Sequence, residues 1–543
     1  MYFHESMFLR TTKAKSHHYV CIVKAYRDAQ GKPKQKVIQN LGAFKTEEER
    51  EKLYCLGRNL LKSMQGESLF SRHDLRELRR ENWGAAALMD RLFEVYQLTP
   101  CFEALTADRK IEYNLVTALK FMLATRFIAP MSKLAAFQQR EYFSGFGPFE
   151  LQHLYRSLDE LHRYQDAIKT HLFQRQKALS RQPMDVVFFD VTTLYFESQQ
   201  PDGLREFGFS KDCKFNETQV VLSLLITRDG RPIGYELFPG NQYEGSTLLR
   251  CLVQLRERYQ IQQVVIVADR GLSSFQNLQA IKDQGFQYII ASRWGHLSAA
   301  LQEDLLDCTD YRPLHVGDEE DDVRYKTLSF ERRKRLKNDA GTTETQCLSE
   351  QLLGLYSHQR AKKDAYDRER LVQKATEILA SGRCDNKRGA KQYLKIVQAR
   401  PEALDLEKIA KASRYDGFYL ISYSDPSLEP ADVAATYRGL WKIEASFRSM
   451  KHFFETRPLF HWNPQRISGH ILLNFLCLIF QRFIEQTLAT TAAGHLSEQA
   501  IRTALKGLER SIVDIQGTQT CLYAATTPHQ SILLQALHLK KPL

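Results

Sequence analysis

The sequence predicts an α/β protein whose mixed β-sheet core is interrupted by an insertion, and three observations indicate this class. Residues 185–197 contain an apolar run with the length and composition of a buried strand. The pair Asp229-Gly230 separates two further apolar runs, which is a strong signal for a β-hairpin. Helical and strand patterns then alternate as far as residue 291, as expected when helices pack on a sheet.

The composition is that of a large basic protein. The 543 residues are too many for one compact core and predict about three or four domains. Lys and Arg outnumber Asp and Glu by 76 to 64, giving a net charge of +12. This charge suits a nucleic-acid partner but does not require one.

Cysteine usage and hydropathy indicate the compartment. The 10 cysteines include no C-x-x-C pair, a pattern that disfavours a zinc site or disulfide framework and fits a reducing cytoplasm. The first residues lack the pattern of a signal peptide, and the apolar run 471–480 is about half the length that a bilayer needs. We therefore expect a cytoplasmic protein without a membrane segment.

The N-terminal part divides into two predicted regions. Residues 1–95 combine a lysine-rich hairpin, 18–26 and 34–42, with a helix that has an acidic first turn. This region is either a small DNA-binding module or a basic hairpin packed on the main body. Residues 96–180 show apolar spacings near 3.6, which predicts a helical domain that binds DNA or supports the core.

The core is predicted in two halves. Residues 181–299 read as strand, hairpin, helix, strand, helix and strand, which is the order of an RNase H-like fold. Residues 300–415 form the insertion, with charge runs that are either solvated faces or a grip on a nucleic-acid end. Residues 416–490 complete the core with a strand and helices. Residues 491–543 form a largely helical tail with a small hairpin near Gly517.

Three acids occupy matching positions in this core. Asp190 ends the first strand, Asp269 ends the fourth, and Glu444 lies in a helical pattern. Three converging carboxylates repel one another, and two Mg²⁺ or Mn²⁺ ions about 4 Å apart would resolve the repulsion. Such a site favours displacement at a phosphodiester, and hard oxygen ligands select these metals over zinc.

Each acid also has an ordinary structural interpretation. Asp190 alone is compatible with a strand-end cap, Asp269 with a turn that has a local ion pair, and Glu444 with a helix salt bridge to Arg448. Rival acids lie near the first strand, and we rank them lower because Asp190 lies at the end of the apolar run. These rivals are Asp185, Glu197 and Glu206.

The helical pattern around Glu444 also carries candidate DNA contacts. Tyr437, Glu444 and Lys451 are seven residues apart, so we expect them on one helix face. Tyr437 and Lys451 would then contact phosphate beside the metal. Further charge and a stacking surface come from neighbouring faces. They are supplied by Arg438, Trp441 and Arg448, together with Lys442.

Four separated motifs carry a resemblance to a known family. They are Asp190-Val-Thr-Thr193, the run 234–241 with Glu244, the run 267–271, and the run from Tyr437 through Glu444 to Lys451. In this order they resemble bacterial insertion-sequence transposases with a DDE catalytic domain, in the group whose helix has a Y-R-E-K signature. There is one departure: the signature arginine falls at Leu440, and Arg438 lies two residues earlier.

The resemblance implies an RNase H-like fold with an insertion between the second Asp and the Glu. It implies Mg²⁺ bound by Asp190, Asp269 and Glu444, and cut-and-paste movement of a DNA element through its terminal inverted repeats. Water nicks the DNA, and the freed 3′-OH attacks the opposite strand or the target. Pairing of two ends implies a homodimer in the bacterial cytoplasm.

Two other functions fit the same residues. One is a transposase-derived protein that recognises element ends without cutting them. The other is a metal-dependent nuclease that does not transfer strands. The intact acids argue against the first without excluding it.

Overall fold

The computed structural model describes most of the chain. The described residues are 7–14, 17–28, 30–64, 75–180, 183–209, 214, 216–314, 323–337, 343–381, 389–398, 400–491, 494–515 and 518–542. The acidic run 318–322 of the insertion and Gly517 of the predicted tail hairpin lie outside them.

The strands are numbered in chain order. They are β1 (Met7–Ala14), β2 (His17–Arg27), β3 (Pro33–Phe44), β4 (Leu75–Asn82), β5 (Val186–Tyr195), β6 (Gln219–Thr227), β7 (Pro232–Pro239), β8 (Val265–Ala268), β9 (Gln287–Ala291), β10 (Arg312–Pro313), β11 (Val323–Lys337), β12 (Thr343–Ser357), β13 (Leu394–Val397), β14 (Arg400–Leu404), β15 (Phe418–Tyr423), β16 (Glu509–Ile515) and β17 (Thr518–Tyr523).

The α-helices are numbered in the same way. They are α1 (Glu47–Met64), α2 (Gly84–Val95), α3 (Leu98–Leu105), α4 (Leu115–Ile128), α5 (Lys133–Gln138), α6 (Leu151–Arg163), α7 (Gln165–Leu179), α8 (Leu248–Glu257), α9 (Phe275–Asp283), α10 (Ala299–Leu306), α11 (His358–Ser381), α12 (Leu406–Ser413), α13 (Pro430–Arg438), α14 (Trp441–Arg448), α15 (Pro464–Ala489), α16 (Glu498–Lys506) and α17 (Pro528–Ala536).

The first of two compact units combines two segments that are far apart in sequence, Met1–Asn82 and Glu509–Ala525. Its antiparallel sheet β1–β2–β3 adds a strand to the hairpin that the sequence predicted, and α1 packs on it. A second antiparallel sheet has β16 between β17 and β4. Strands remote in sequence are joined there, and Arg510 contacts buried Glu81 at 3.1 Å.

The second unit, Trp83–Leu508 with Thr526–Leu543, contains the predicted core. In the described residues, nine strands form one sheet in the order β10–β11–β12–β15–β9–β8–β5–β6–β7. Strands β5, β6 and β7 form an antiparallel meander, while β5, β8 and β9 are parallel. This order confirms the RNase H-like core within an α/β fold.

The insertion extends the core sheet and also contains a separate two-stranded sheet, β13 and β14. Strands β11 and β12 pair over their whole length, and β12 pairs with β15, which in turn pairs with β9. The basic run 331–337 therefore lies in strand β11. Helix α11, the hairpin of β13 and β14, and α12 form a small cluster beside these strands.

One face of the core sheet is covered by α8 and α9. Alternate residues of β5, Val187, Phe189 and Val191, share a buried apolar cluster with side chains of these helices. Side chains alternate between the two faces of a strand, so Phe188 and Asp190 point to the opposite face.

Helix α15 lies at the centre of the helical part of this unit. It contacts α4 and α6 on one side and β7 on another. By length and composition it is the one helix in the described chain that could cross a membrane, but 89% of its apolar stretch is buried inside the protein. Its apolar surface is therefore taken up by the core and is not left for lipid.

Candidate active site

Asp190 lies within β5, between buried apolar neighbours, and the expectation that it ends the first strand was wrong because pairing with β6 continues the strand to Tyr195. Phe189 and Val191 are 0% and 2% exposed, whereas Asp190 is half-buried. Its Oδ1 accepts a hydrogen bond from the backbone N–H of Val191 at 2.7 Å. The strand forms because its apolar residues fill both faces, and Asp190 interrupts them with one polar side chain.

Asp269 follows the last residue of β8 and is exposed. It begins the short 3₁₀ turn Arg270–Leu272, and its side chain accepts a hydrogen bond from the N–H of Arg270. A carboxylate at this position stabilises the turn because it satisfies a backbone donor that has no partner within the turn.

The strand register makes these two aspartates neighbours. Strands β5 and β8 run parallel, and their last paired residues are Phe189 and Ala268. Asp190 follows Phe189, and Asp269 follows Ala268. Adjacent strands lie about 4.8 Å apart. Phe189 and Ala268 share the cluster under α8 and α9, so both aspartates belong to the opposite face by alternation.

The helical segment with Glu444 covers that opposite face. Helix α13 contacts β8 and β9, and α14 contacts β5 and β6. Between them Gly439 approaches the ring of Phe188 so closely that a Cβ there would lie 2.7 Å from its Cζ. Glu444 is exposed on α14, and α14 contacts β5, the strand that carries Asp190.

The expectation of one regular helix from Tyr437 to Lys451 was wrong. Helix α13 ends at Arg438, α14 begins at Trp441, and residues Ser449–Phe453 form a π-helical turn. The first break occurs where Gly439 packs against β5, and the π-helical turn adds a residue to the last turn. A seven-residue spacing therefore does not place Tyr437, Glu444 and Lys451 on one straight face.

Tyr437 lies beside Asp269. Burial, and after it the negative charge of Asp269, raise the pKa of Tyr437 to about 12. The phenol therefore keeps its proton at neutral pH and can donate a hydrogen bond.

The other predicted DNA contacts do not form one surface. Trp441, which is 61% exposed, and Arg448 line a cavity of about 650 Å³. Arg438 and Lys451 are half-buried and are not among its described lining residues. Asp190, Asp269 and Glu444 are also not among them.

The donor set suits a divalent cation, but the three acids do not form a closed ligand shell. Within the described part of the chain, no three His, Cys, Asp or Glu side chains lie close enough together to hold one metal ion. The Asp190 and Asp269 carboxylates each bond a backbone N–H instead. Two neighbouring carboxylates on one face remain the oxygen donors that Mg²⁺ and Mn²⁺ prefer.

Sequence reasoning missed Arg360. This residue lies in α11 of the insertion, and its guanidinium stacks 4.9 Å from the ring centre of Tyr419. Its positive charge acts on Tyr437, as does that of Arg270. No motif distinguishes Arg360 from the other charged residues of α11, and only the pairing of β12 with β15 brings this helix towards Tyr437.

The strand order is that of an RNase H-like core. A family model described as "Transposase DDE domain" matches residues 181–480, which is more than half of the chain. The chain belongs to the DDE transposases. A second model, described as "IS1634 family transposase, N-terminal domain", matches residues 9–71. The protein is a DNA transposase, an insertion-sequence enzyme that cleaves DNA, transfers strands and depends on divalent metal.

Two solved structures are similar to the chain. One is the piggyBac transposase synaptic complex with hairpin DNA, at 10% identity, 78% of this chain, 80% of that chain and a TM-score of 0.36. The other is the Mos1 transposase paired-end complex with left transposon end, at 13% identity, 33% of this chain, 59% of that chain and a TM-score of 0.15. No curated protein matches the sequence.

Proposed function

We propose that Asp190, Asp269 and Glu444 are the catalytic acids of this transposase and hold two Mg²⁺ or Mn²⁺ ions. The observation that supports this most directly is the β5–β8 register, which makes Asp190 and Asp269 neighbours on the face that α13 and α14 cover. Glu444 supplies the third carboxylate from α14.

Cations held by these carboxylates would lower the pKa of the attacking water or 3′ hydroxyl and stabilise the leaving oxygen. The chain's own contribution is to position charge. Asp190 and Asp269 would hold the cations through their carboxylate oxygens, and Tyr437 would donate a hydrogen bond from its phenol to a phosphate oxygen beside Asp269. Exclusive use of oxygen donors keeps the site selective for hard cations.

Further side chains bind the DNA backbone around this centre. We propose that Arg438, Arg448 and Lys451 neutralise phosphates and that exposed Trp441 stacks on a base. Arg360 adds a cation from the insertion. The N-terminal sheet β1–β3, with exposed Lys34 and Lys36, binds the terminal inverted repeats. A cytoplasmic homodimer pairs two element ends.

The test uses labelled duplexes that carry the terminal inverted repeats found in the DNA flanking the gene. Asp190→Ala, Asp269→Ala and Glu444→Ala should each abolish Mg²⁺-dependent nicking and strand transfer while DNA binding persists. The matched control is Asp185→Ala. Asp185 precedes β5 and is half-exposed, and its carboxylate contacts only Arg228, at 3.2 Å, among the described residues, so its loss should leave activity unchanged.

The outcomes separate the alternatives. Nicking without joining by the wild type would identify a nuclease, and binding without nicking would identify an end-recognition protein. Normal cutting by all three acid variants would remove these residues from the catalytic site.

A further inference from the structure

A second charged cavity lies beyond the end of β5. Its volume is about 190 Å³, which at about 30 Å³ for each water is enough for a tetrahedral oxyanion. Residues from four chain segments line it. They include Arg126, Lys133, Arg457, Phe460, His461 and His470. We call it the cation cavity.

Two basic side chains at its wall are buried. Arg126 and Lys133 are each 6% exposed. Arg126 donates to the backbone carbonyl of Phe454 at 3.1 Å and has no carboxylate partner among the described residues. The amine of Lys133 lies 3.2 Å from Nδ1 of His470, which is its one hydrogen-bond partner in the described chain. Buried cations without a counter-ion are costly to a folded protein.

The charges around the cavity do not balance. Among the described lining residues the one carboxylate is Glu455, and its side chain is exposed. Arg466 lies nearby, but its charge is matched by Asp159 at 3.0 Å. Arg126 and Lys133 therefore face one exposed acid, with His461, His470, Tyr155 and Cys477 around them.

Burial determines the state of Lys133. Its amine lies inside the protein beside His470, whose ring also bonds the side-chain amide of Asn474, 3.1 Å from Nε2, and the backbone of Thr456. Burial, with the charge of Arg126 second, holds the pKa of Lys133 well below its usual range. The buried amine is therefore neutral in the absence of an anion.

We propose that the cation cavity binds a phosphate-class oxyanion and that Lys133 takes up a proton when the anion enters. The anion supplies the negative charge that no carboxylate among the described residues provides to Lys133 and Arg126. Arg457 and exposed Phe460 form the mouth, and Lys133 with His470 forms the inner end.

The anion has two sources with the same chemistry, a DNA phosphodiester or free phosphate. Leu459, in the segment that lines the mouth, donates to the carbonyl of Tyr195 at 3.1 Å. Tyr195 is five residues past Asp190 on β5, which is a distance of about 17 Å. About five nucleotides of a DNA strand would span this distance. The DNA source rests on the proposed function, whereas binding of phosphate itself does not.

The first arm uses inorganic phosphate and full-length protein without DNA or metal. Calorimetric titration in two buffers of different ionisation heat should show binding with uptake of about one proton at pH 7. Lys133→Met should weaken binding about tenfold or more. Lys133→Arg should keep binding but lose the proton uptake, because Arg stays protonated.

The matched control is Lys110→Met, which removes an exposed lysine between α3 and α4 and should change nothing. Should Lys133→Met fail to fold, Arg457→Gln at the mouth gives a second readout and should weaken phosphate binding severalfold.

The second arm uses a duplex oligonucleotide of random sequence. A DNA phosphate in the cavity would make the log–log salt dependence of binding shallower by about 0.9 in Lys133→Met, and phosphate would compete with DNA. An unchanged slope together with phosphate binding would assign the cavity to the free anion. Absence of phosphate binding by the wild type, or equal binding by Lys133→Met, would overturn the proposal. Loss of DNA cleavage in the acid variants leaves both arms unaffected.

Discussion

The aspartate pair on β5 and β8 and the cation cavity differ in sign and in depth. Asp269 is exposed and Asp190 half-buried, whereas Lys133 and Arg126 are each 6% exposed. Both regions bring together side chains of one charge type, which favours binding of a ligand of the other sign. The difference indicates what each region accepts.

Depth determines the size of the ligand. Exposed carboxylates can be reached by hydrated cations and by a DNA duplex together, which transposition requires. The cation cavity, with about 190 Å³, admits one small anion or one phosphate of a strand that passes its mouth. One region is therefore suited to chemistry on DNA, and the other to holding a single phosphate group.

The largest expected effect separates these aspartates from a structural carboxylate in the same sheet. Glu350 of β12 is 0% exposed in its side chain and contacts Arg332 at 2.6 Å, while Ser422 donates to it at 2.7 Å. Glu350→Ala leaves a buried guanidinium without its counter-ion, so we expect a loss of about 3–5 kcal/mol in the free energy of unfolding, measured with urea.

Asp269→Asn provides the contrast. Because Asp269 is exposed, the free energy of unfolding of this variant should lie within about 0.5 kcal/mol of the wild-type value, although the variant no longer cleaves DNA. Equal destabilisation by Glu350→Ala and Asp269→Asn would mean that both carboxylates serve the fold.

The next effect concerns acid stability on the cation-cavity side. Burial, then the charges of Lys133 and Arg126, lower the pKa of His461 to about 3 from 6.5. Between these values the unfolded chain binds a proton that the folded chain does not. The contribution of His461 to the free energy of unfolding is therefore complete above pH 6.5. It falls as pH drops towards 3, by up to about 1.4 kcal/mol per pH unit.

His461→Gln should flatten this dependence in urea denaturation at pH 4 to 7. His470, whose pKa is also well below its usual range because of burial, acts in the same direction and will leave part of the slope. His529→Gln at an exposed position is the control. An unchanged slope in His461→Gln would show that another group causes acid unfolding.

The acid-bearing strands could be predicted from the sequence because their signals are local. A buried run before Asp190, another before Asp269, and the Asp229-Gly230 turn between two strands specify the order of the core. Parallel pairing of β5 and β8 then follows from that order, and the structure has it. The pairing of β4 with β16 joins residues far apart in sequence, and no local pattern encodes such a partner.

The break in the Glu444 helix and the cation cavity were not predictable for a related reason. Gly439 has ordinary helical backbone angles, and its role appears only against Phe188 of another element. Lys133 likewise reads as an ordinary solvated lysine until His470 and Arg126, which lie on other helices, surround it. Tertiary contacts define both features.

Gly439→Ala tests whether the aspartate side depends on this close approach. The added Cβ would lie 2.7 Å from buried Phe188, so α14 or the ring must move. We expect a cost of about 1–3 kcal/mol in thermal or urea unfolding and a larger fractional loss of cleavage than of DNA binding. Gly295→Ala, where a Cβ meets open space, is the control. If cleavage falls only in proportion to the folded fraction, Gly439 affects stability and does not position the active site.

The smallest effect concerns Arg360, which adds a cation to the aspartate side. Its charge acts on Tyr437, and Leu440 supplies none where the family signature has arginine. If Arg360 contacts one DNA phosphate, Arg360→Ala should make the log–log salt dependence of DNA binding shallower by about 0.9. Arg370→Ala, ten residues further along α11 and paired with Asp367 at 3.8 Å, is the matched control. Equal slopes for the two variants would leave Arg360 as a partner of Asp364 and Tyr419 alone, because a phosphate contact releases counter-ions and an internal ion pair does not.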